Sequence, residues 1–176
     1  MTFHARRQPS VRALFLLLAV LPGLGGCVYS FSGGGGLPEH VQTVAVPPIQ
    51  NETSQFALVD AFTTQLTEAM TGRLGAQLAA ENQADAIVRA AITGYDDQAL
   101  NFEAQEGQGA QVFQRRVTIR ASVEIYDVAR DRAIWSSQSV TGAGEYAPES
   151  ETEEAGRRLA LENLIQKIVN GAQSQW

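Results

Sequence analysis

Arg116-Val117-Thr118-Ile119-Arg120-Ala121-Ser122-Val123-Glu124-Ile125 alternates polar and apolar residues without a break. Val117, Ile119, Ala121, Val123 and Ile125 share one face; Arg116, Thr118, Arg120, Ser122 and Glu124 share the other. A period of two over ten residues specifies a strand with one face in a core and one in water. The strand is expected over Gln111 to Asp127. A turn at Val128 to Asp131 follows, and Ala133 to Thr141 returns as a hairpin strand containing Trp135.

Working towards the amino terminus, Asp96 to Ala110 is acidic and rich in Gln and Gly, and reads as a mobile hairpin loop with Leu100 and Phe102 exposed. Asp85 to Tyr95 reads as the strand before it, with Ala86, Val88, Ala90 and Ile92 on one face. From Gln55 to about Leu78, Phe56, Val59, Phe62, Leu66, Met70, Leu74 and Leu78 step by three or four along a helix. Thr53 or Ser54 is placed to cap that helix, and Gly72 and Gly75 weaken its end. Its polar face lacks the Lys/Arg richness of a membrane-surface helix, so the stripe reads as core. Thr43 to Val46 is a short strand stopped by Pro47-Pro48, since proline cannot donate to a ladder. Towards the carboxyl terminus, Ser150 and Glu153 form a capping box. Leu161, Leu164, Ile165, Ile168, Val169 and Ala172 form a helical stripe with Leu161 at its edge, and Gly171 is a plausible stop. The expected fold is an α+β two-layer sandwich in the order βαβββα, with two helices on one face of a four-stranded mixed sheet. The other face carries the polar and Arg-bearing positions.

The first dozen residues hold Arg6, Arg7 and Arg12 and no acid, followed by an apolar run from Ala13 to Leu21 and the breaker Pro22-Gly23. That is a signal peptide, too short to span a bilayer. Cys27, the only cysteine, follows Leu24-Gly25-Gly26 in an arrangement that resembles the lipobox of bacterial lipoproteins. The expected organisation is a signal peptide over 1–26, a lipidated tether over 27–37 and a single domain over 38–176. The resemblance implies diacylglycerol on the Cys27 thiol, cleavage before it and acylation of the new amino terminus. Val28, rather than Asp, after the cysteine favours the outer membrane. Gly33 to Gly36 makes flexible a leash that runs from Val28 to Leu37 and spans about 35 Å even when fully stretched.

The chain after residue 26 has ten basic and nineteen acidic residues, a net charge of −9. A field of that sign excludes broad nucleic-acid binding. The chemistry is sparse. His40 is the one histidine after the signal peptide and reads as a solvated loop or strand-edge residue, without a nucleophile motif beside it. There is no zinc spacing, phosphate loop or dinucleotide fingerprint, and no cofactor is implied. Asp96 and Asp97 are adjacent in a strand end or turn, so they point apart and read as solvated rather than as an acid/base dyad. The chain reads as non-enzymatic.

Several stretches, in order, resemble the lipopolysaccharide-assembly lipoprotein family LptE. Val44-Ala45-Val46-Pro47-Pro48-Ile49-Gln50-Asn51-Glu52-Thr53 resembles that family's lead into its first helix. Ala84-Asp85-Ala86-Ile87-Val88 and Ile92-Thr93-Gly94-Tyr95 resemble its next strand, and Ile134-Trp135 its hairpin strand. Gly142 to Pro148 looks like its link into the last helix. The resemblance implies an outer-membrane lipoprotein, lipid-anchored and facing the periplasm, that plugs an LptD-like β-barrel, assists its assembly and handles lipopolysaccharide. Arg suits phosphorylated sugars because its guanidinium makes paired hydrogen bonds. The candidate lipopolysaccharide patch is Arg115, Arg116 and Arg120, with Arg116 and Arg120 on one face around Thr118 and Arg115 on the other. The competing expectation is an LpoB-like lipoprotein that activates a peptidoglycan synthase. That role needs a long linker, and the leash here has only ten residues.

Overall fold

The computed structural model describes residues 36–105 and 109–174, with the backbone alone over 101–112. The expected signal peptide over 1–26, Cys27 and nearly all of the expected tether lie outside the described residues.

The strand order along the sheet is built around the period-two stretch. β1 (Thr43–Ala45) and β2 (Gln50–Asn51) precede helix α1 (Ala57–Glu68), which runs into a π-helical turn (Ala69–Arg73). β3 (Gln77–Leu78), β4 (Ala86–Gln105), β5 (Gly109–Asp127), β6 (Arg132–Tyr146) and helix α2 (Glu153–Gln173) follow. The sheet has six strands in the order β3-β1-β4-β5-β6, with β2 also on β4. β1 pairs in parallel with β3 and β4, and β2 in parallel with β4, whereas β4, β5 and β6 form an antiparallel meander. The α+β class, the two helices and the mixed sheet are as expected; four strands is too few. The two missed strands are two residues long and have no periodicity to read. β1 and β2 are one strand broken at Pro47-Pro48, where the ladder loses its donors.

One core lies between the sheet and the helices. Val117, Ile119, Ala121, Val123 and Ile125 of β5 are all buried, together with Leu58, Phe62 and Leu66 of α1 and Leu161, Leu164, Ile165, Ile168 and Val169 of α2. Leu161, expected at the stripe's edge, is inside it. α1 stops earlier than Leu78. The π turn widens the coil, the amide of Leu74 donates to Ala69 O at 3.1 Å, and Gly75 then takes the left-handed φ of 74°. Leu78 is therefore not on the helical stripe but on β3, opposite Val44, and is exposed.

The expected 96–110 loop is instead strand: β4 and β5 pair from Ala86↔Asp127 to Gln105↔Gly109, with bulges after Ile92 and around Asn101. Leu100 is half-buried, and the Phe102 side chain lies outside the description. β6 also runs on through Gly142 to Tyr146, so only 147–152 links it to α2. The capping box does not form. α2 starts at Glu153 with Thr152 at its N-cap and no side-chain cap, and Glu151 instead accepts from the Ala147 amide at 2.9 Å. Gly171 is not a stop, because α2 continues to Gln173. A Cβ on Gly171 would lie 2.5 Å from the Trp135 ring, so this glycine makes room for the indole.

Glycine also sets how α2 sits. A Cβ on Gly142 would stand 2.1 Å from Ala160 O, and one on Gly144 2.1 Å from Gly156 O. The helix backbone thus rests directly on the β6 backbone. Only residues without Cβ allow that approach.

Candidate functional site

The lone histidine is built into the fold. His40 Nε2 lies 2.7 Å from Asp127 Oδ2, and Asp127 is 1% exposed. His40, read as a solvated loop or strand-edge residue, is half-exposed in a turn, and its ring closes over a buried carboxylate at the end of β5. Burial pushes the Asp127 carboxyl up, but the His40 hydrogen bond and the Arg130 and Ala129 amides outweigh it and hold the group below the ordinary carboxylate range. Nearby, Asp85 Oδ2 accepts from the Thr43 hydroxyl at 2.8 Å, the Thr43 amide at 2.9 Å and the Gln42 amide at 3.0 Å, and these lower its pKa. Two carboxylates thus fasten residues 40–43 to the starting end of β4 and the finishing end of β5. Among the described residues no group of three or more metal-ligating side chains converges.

At the opposite end of the sheet, Asp97, Arg115 and Tyr146 meet on the helix side. Arg115 Nε donates to the two Asp97 carboxylate oxygens at 3.2 and 3.1 Å, its guanidinium reaches Asp97 O at 3.1 Å, and Tyr146 Oη donates to Asp97 Oδ2 at 2.9 Å. Asp97 raises the pKa of Arg115, and burial followed by Asp97 raises that of Tyr146. Asp97 is therefore not a solvated turn residue. The bulge after Ile92 reverses the parity of β4 and turns Asp97 towards the helices, opposite Val117. Tyr95, on the same side, donates to Glu153 at the start of α2; burial and that contact raise its pKa.

Arg116 and Arg120 lie on the open face and Arg115 on the other, as the alternation predicts. The three do not converge. Arg116 pairs with Glu145, its cross-strand neighbour on β6, and Gln114 Nε2 reaches the second Glu145 oxygen at 2.8 Å. Arg115 is held by Asp97 at 3.1 Å. Arg120 alone of the three has no carboxylate partner among the described residues. It lies over Gly94, whose missing Cβ would sit 3.0 Å from Arg120 Nε. Further along the open face Arg89 pairs with Glu124 at 3.1 Å and stacks 4.9 Å from the Tyr126 ring centroid. Around Thr118, Arg120 and Ser122 this face is polar and at least partly exposed. The open-face hollow beside Gln50, Ser122 and Gln138 measures about 270 Å³, just under the roughly 300–1,000 Å³ typical of small-molecule sites.

The sequence reading missed a groove between the helices. Ala57, Leu58, Ala61 and Gln65 of α1 and Ala155, Arg157, Arg158 and Leu161 of α2 line about 490 Å³. Buried Leu58 and Leu161 form its floor, small side chains its walls, and two arginines its rim. The adjacent Arg157-Arg158 pair was its one visible sign in the sequence. The geometry offers charge and apolar surface for binding.

A model of the family described as LptE, lipopolysaccharide-assembly, matches residues 41–171, which takes in every element from β1 to the last turns of α2. No curated protein matches the chain. Among solved structures, the chain is similar to an uncharacterized lipoprotein B from Nitrosomonas europaea, with a TM-score of 0.55, 14% identity, and coverage of 81% of this chain and 88% of that one. It is similar to a hypothetical protein from Chlamydia trachomatis, with a TM-score of 0.54, 13% identity, and coverage of 77% and 97%. A minor lipoprotein from Acinetobacter baumannii aligns with a TM-score of 0.48, 18% identity, and coverage of 76% and 92%. At these identities the first two show a shared fold.

Proposed function

The chain belongs to the LptE family of lipopolysaccharide-assembly proteins, and from that premise we propose that it is a lipid-anchored outer-membrane protein that plugs an LptD-like β-barrel. In this reading it assists assembly of the barrel and the passage of lipopolysaccharide to the outer leaflet, without covalent chemistry. The family match across the whole folded region carries the proposal. The open sheet face supports it. A barrel lumen is polar, and this face offers Thr118, Ser122, Gln138 and paired charges rather than an apolar surface. The Leu24-Gly25-Gly26-Cys27 stretch supports acylation of Cys27 after removal of residues 1–26, and the leash of Val28 to Leu37 keeps the domain near the membrane. Arg120 is the member of the expected patch best placed for a lipopolysaccharide phosphate, because Arg115 and Arg116 already hold carboxylates.

The test is gentle detergent extraction of the acylated protein through a carboxyl-terminal tag. A large outer-membrane β-barrel in near-equal amount is the expected companion. A peptidoglycan synthase in its place, or no partner, would reject the plug and favour an LpoB-like activator.

A further inference from the structure

β6 is an edge strand, and its own sequence does little to protect that edge. Residues 133–144, Ala-Ile-Trp-Ser-Ser-Gln-Ser-Val-Thr-Gly-Ala-Gly, contain no charge between Arg132 and Glu145. A long uncharged edge presents free amides and carbonyls to any second strand, and natural sheets blunt such edges with lysine, bulges or covering elements. The opposite edge of this sheet is β3, only two residues long, which is itself a form of protection.

Two side chains of α2 reach over the β6 edge. Asn163 Nδ2 donates to Ala143 O at 2.7 Å, and Lys167 Nζ donates to Thr141 O at 2.7 Å. The two residues are four apart, one above the other on one helix face. Their acceptors are two apart on β6. In an antiparallel ladder the amide and carbonyl of one residue point the same way, and the direction alternates along the strand. Thr141 and Ala143 therefore turn their backbone groups the same way, and the donors they accept from α2 mark that side as the outward one, away from β5. Lys167 is the only lysine in the chain. The glycines at 142 and 144 bring α2 low enough for these reaches. The other half of β6 is irregular instead, with register shifts between Val140 and Ser137 and between Trp135 and Ala133.

We infer that Asn163 and Lys167 guard the β6 edge, and that the edge they close would otherwise add the β6 strand of a second copy of this chain. The pairing is self-complementary. Centred on Gly142, Thr141 of one copy lies opposite Ala143 of the other, and Ser139 opposite Glu145, so no like charges meet. The guard occupies the outward carbonyls of both central positions, and a second strand would have to displace it.

The test is sedimentation equilibrium of the full chain in non-ionic detergent, with hydrogen exchange at the amides of Thr141 and Ala143. The wild type is expected to be monomeric, with both amides exchanging fast. Asn163→Ala with Lys167→Ala is expected to lower the dimer dissociation constant at least tenfold and to protect both amides. Lys167→Met, which keeps the apolar stem and drops the donor, is expected to move both readouts the same way by a smaller factor, and it remains informative if the double variant fails to fold. Folded variants that stay monomeric over the same concentrations, with unprotected amides, would overturn the inference.

Discussion

Asp85 carries an unusual share of local order for one half-buried side chain. One of its carboxylate oxygens takes the Gln42 and Thr43 amides and the Thr43 hydroxyl, and its own amide donates to Thr43 O at 3.1 Å. Hydrogen bonds to a charged group are each worth about 1.5–3 kcal/mol at best and less when partly solvated. Asp85→Ala is therefore expected to cost about 2–3 kcal/mol in urea unfolding. The pH dependence follows from the lowered pKa values of Asp85 and Asp127. A carboxylate with a depressed folded pKa contributes stability above its unfolded pKa of about 3.9 and loses it as pH falls through the folded value. The wild type should hold its stability down to about pH 4 and lose it below. Asp85→Ala should flatten that acid limb, and an unchanged acid limb would refute the assignment. Arginine at the same scale separates into engaged and free. Arg116 already holds Glu145, whereas Arg120 lies over Gly94 with no carboxylate partner among the described residues. In a lipopolysaccharide pull-down, Arg120→Gln is expected to weaken binding about tenfold, the worth of one charge-assisted hydrogen bond. Arg116→Gln should change it less than threefold. Equal effects, or none, would remove Arg120 from the patch.

The seat of α2 on β6 is set by glycine, and it can be tested one methyl at a time. A Cβ at Gly142 meets backbone at 2.1 Å and 2.6 Å, and backbone cannot swing aside as a side-chain tip can. Gly142→Ala should therefore cost more than about 3 kcal/mol, the range of severe overpacking and strain. Gly72, in the π turn, has nothing within 4 Å of a Cβ and an ordinary φ. Gly72→Ala should be neutral or stabilise by up to about 1 kcal/mol through the unfolded chain. Similar costs at the two positions, by thermal or urea unfolding, would mean that the helix is not seated this way. Which of these features were readable in advance depends on how far each signal reaches. The alternation of β5 fixed the faces of Arg115, Arg116 and Arg120, because parity is a local property. Their partners were not readable, because Glu145 opposite Arg116 and Asp97 beside Arg115 depend on register and on a bulge after Ile92. The 96–110 stretch concealed its strands for a related reason. Gln, Gly and Asp are weak strand formers, and strand preference yields to pairing with a neighbour. Gly171 and Gly142 to Pro148 read as punctuation, whereas their role is to leave space for Trp135 and for α2.

At the scale of the whole molecule, charge and anchoring pull against each other. The chain after residue 26 carries −9, so an anionic leaflet repels it, and among the described residues no helix is long and apolar enough to cross a membrane. In the proposed reading, membrane association comes from acyl chains and from a protein partner. A single acyl chain gives only marginal binding, whereas several anchor firmly. In the proposed reading Cys27 carries the acyl chains, and the folded domain adds only what its barrel interface contributes. Cys27→Ala should therefore move most of the protein from the membrane to the soluble fraction in cells that lack the barrel. Wild-type association should survive a wash in about 1 M salt, since screening weakens charge contacts but not burial of hydrocarbon. The unfolding temperature of the variant should stay within about 1 °C of the wild type, because in the proposed reading residue 27 is an anchor outside the folded domain. In cells that make the barrel, the variant should be partly retained, and the retained fraction measures what the barrel interface contributes without the anchor. Full retention of Cys27→Ala on salt-washed membranes lacking the barrel would show that some other surface holds the protein there, and the lipid anchor would no longer be needed to explain its place.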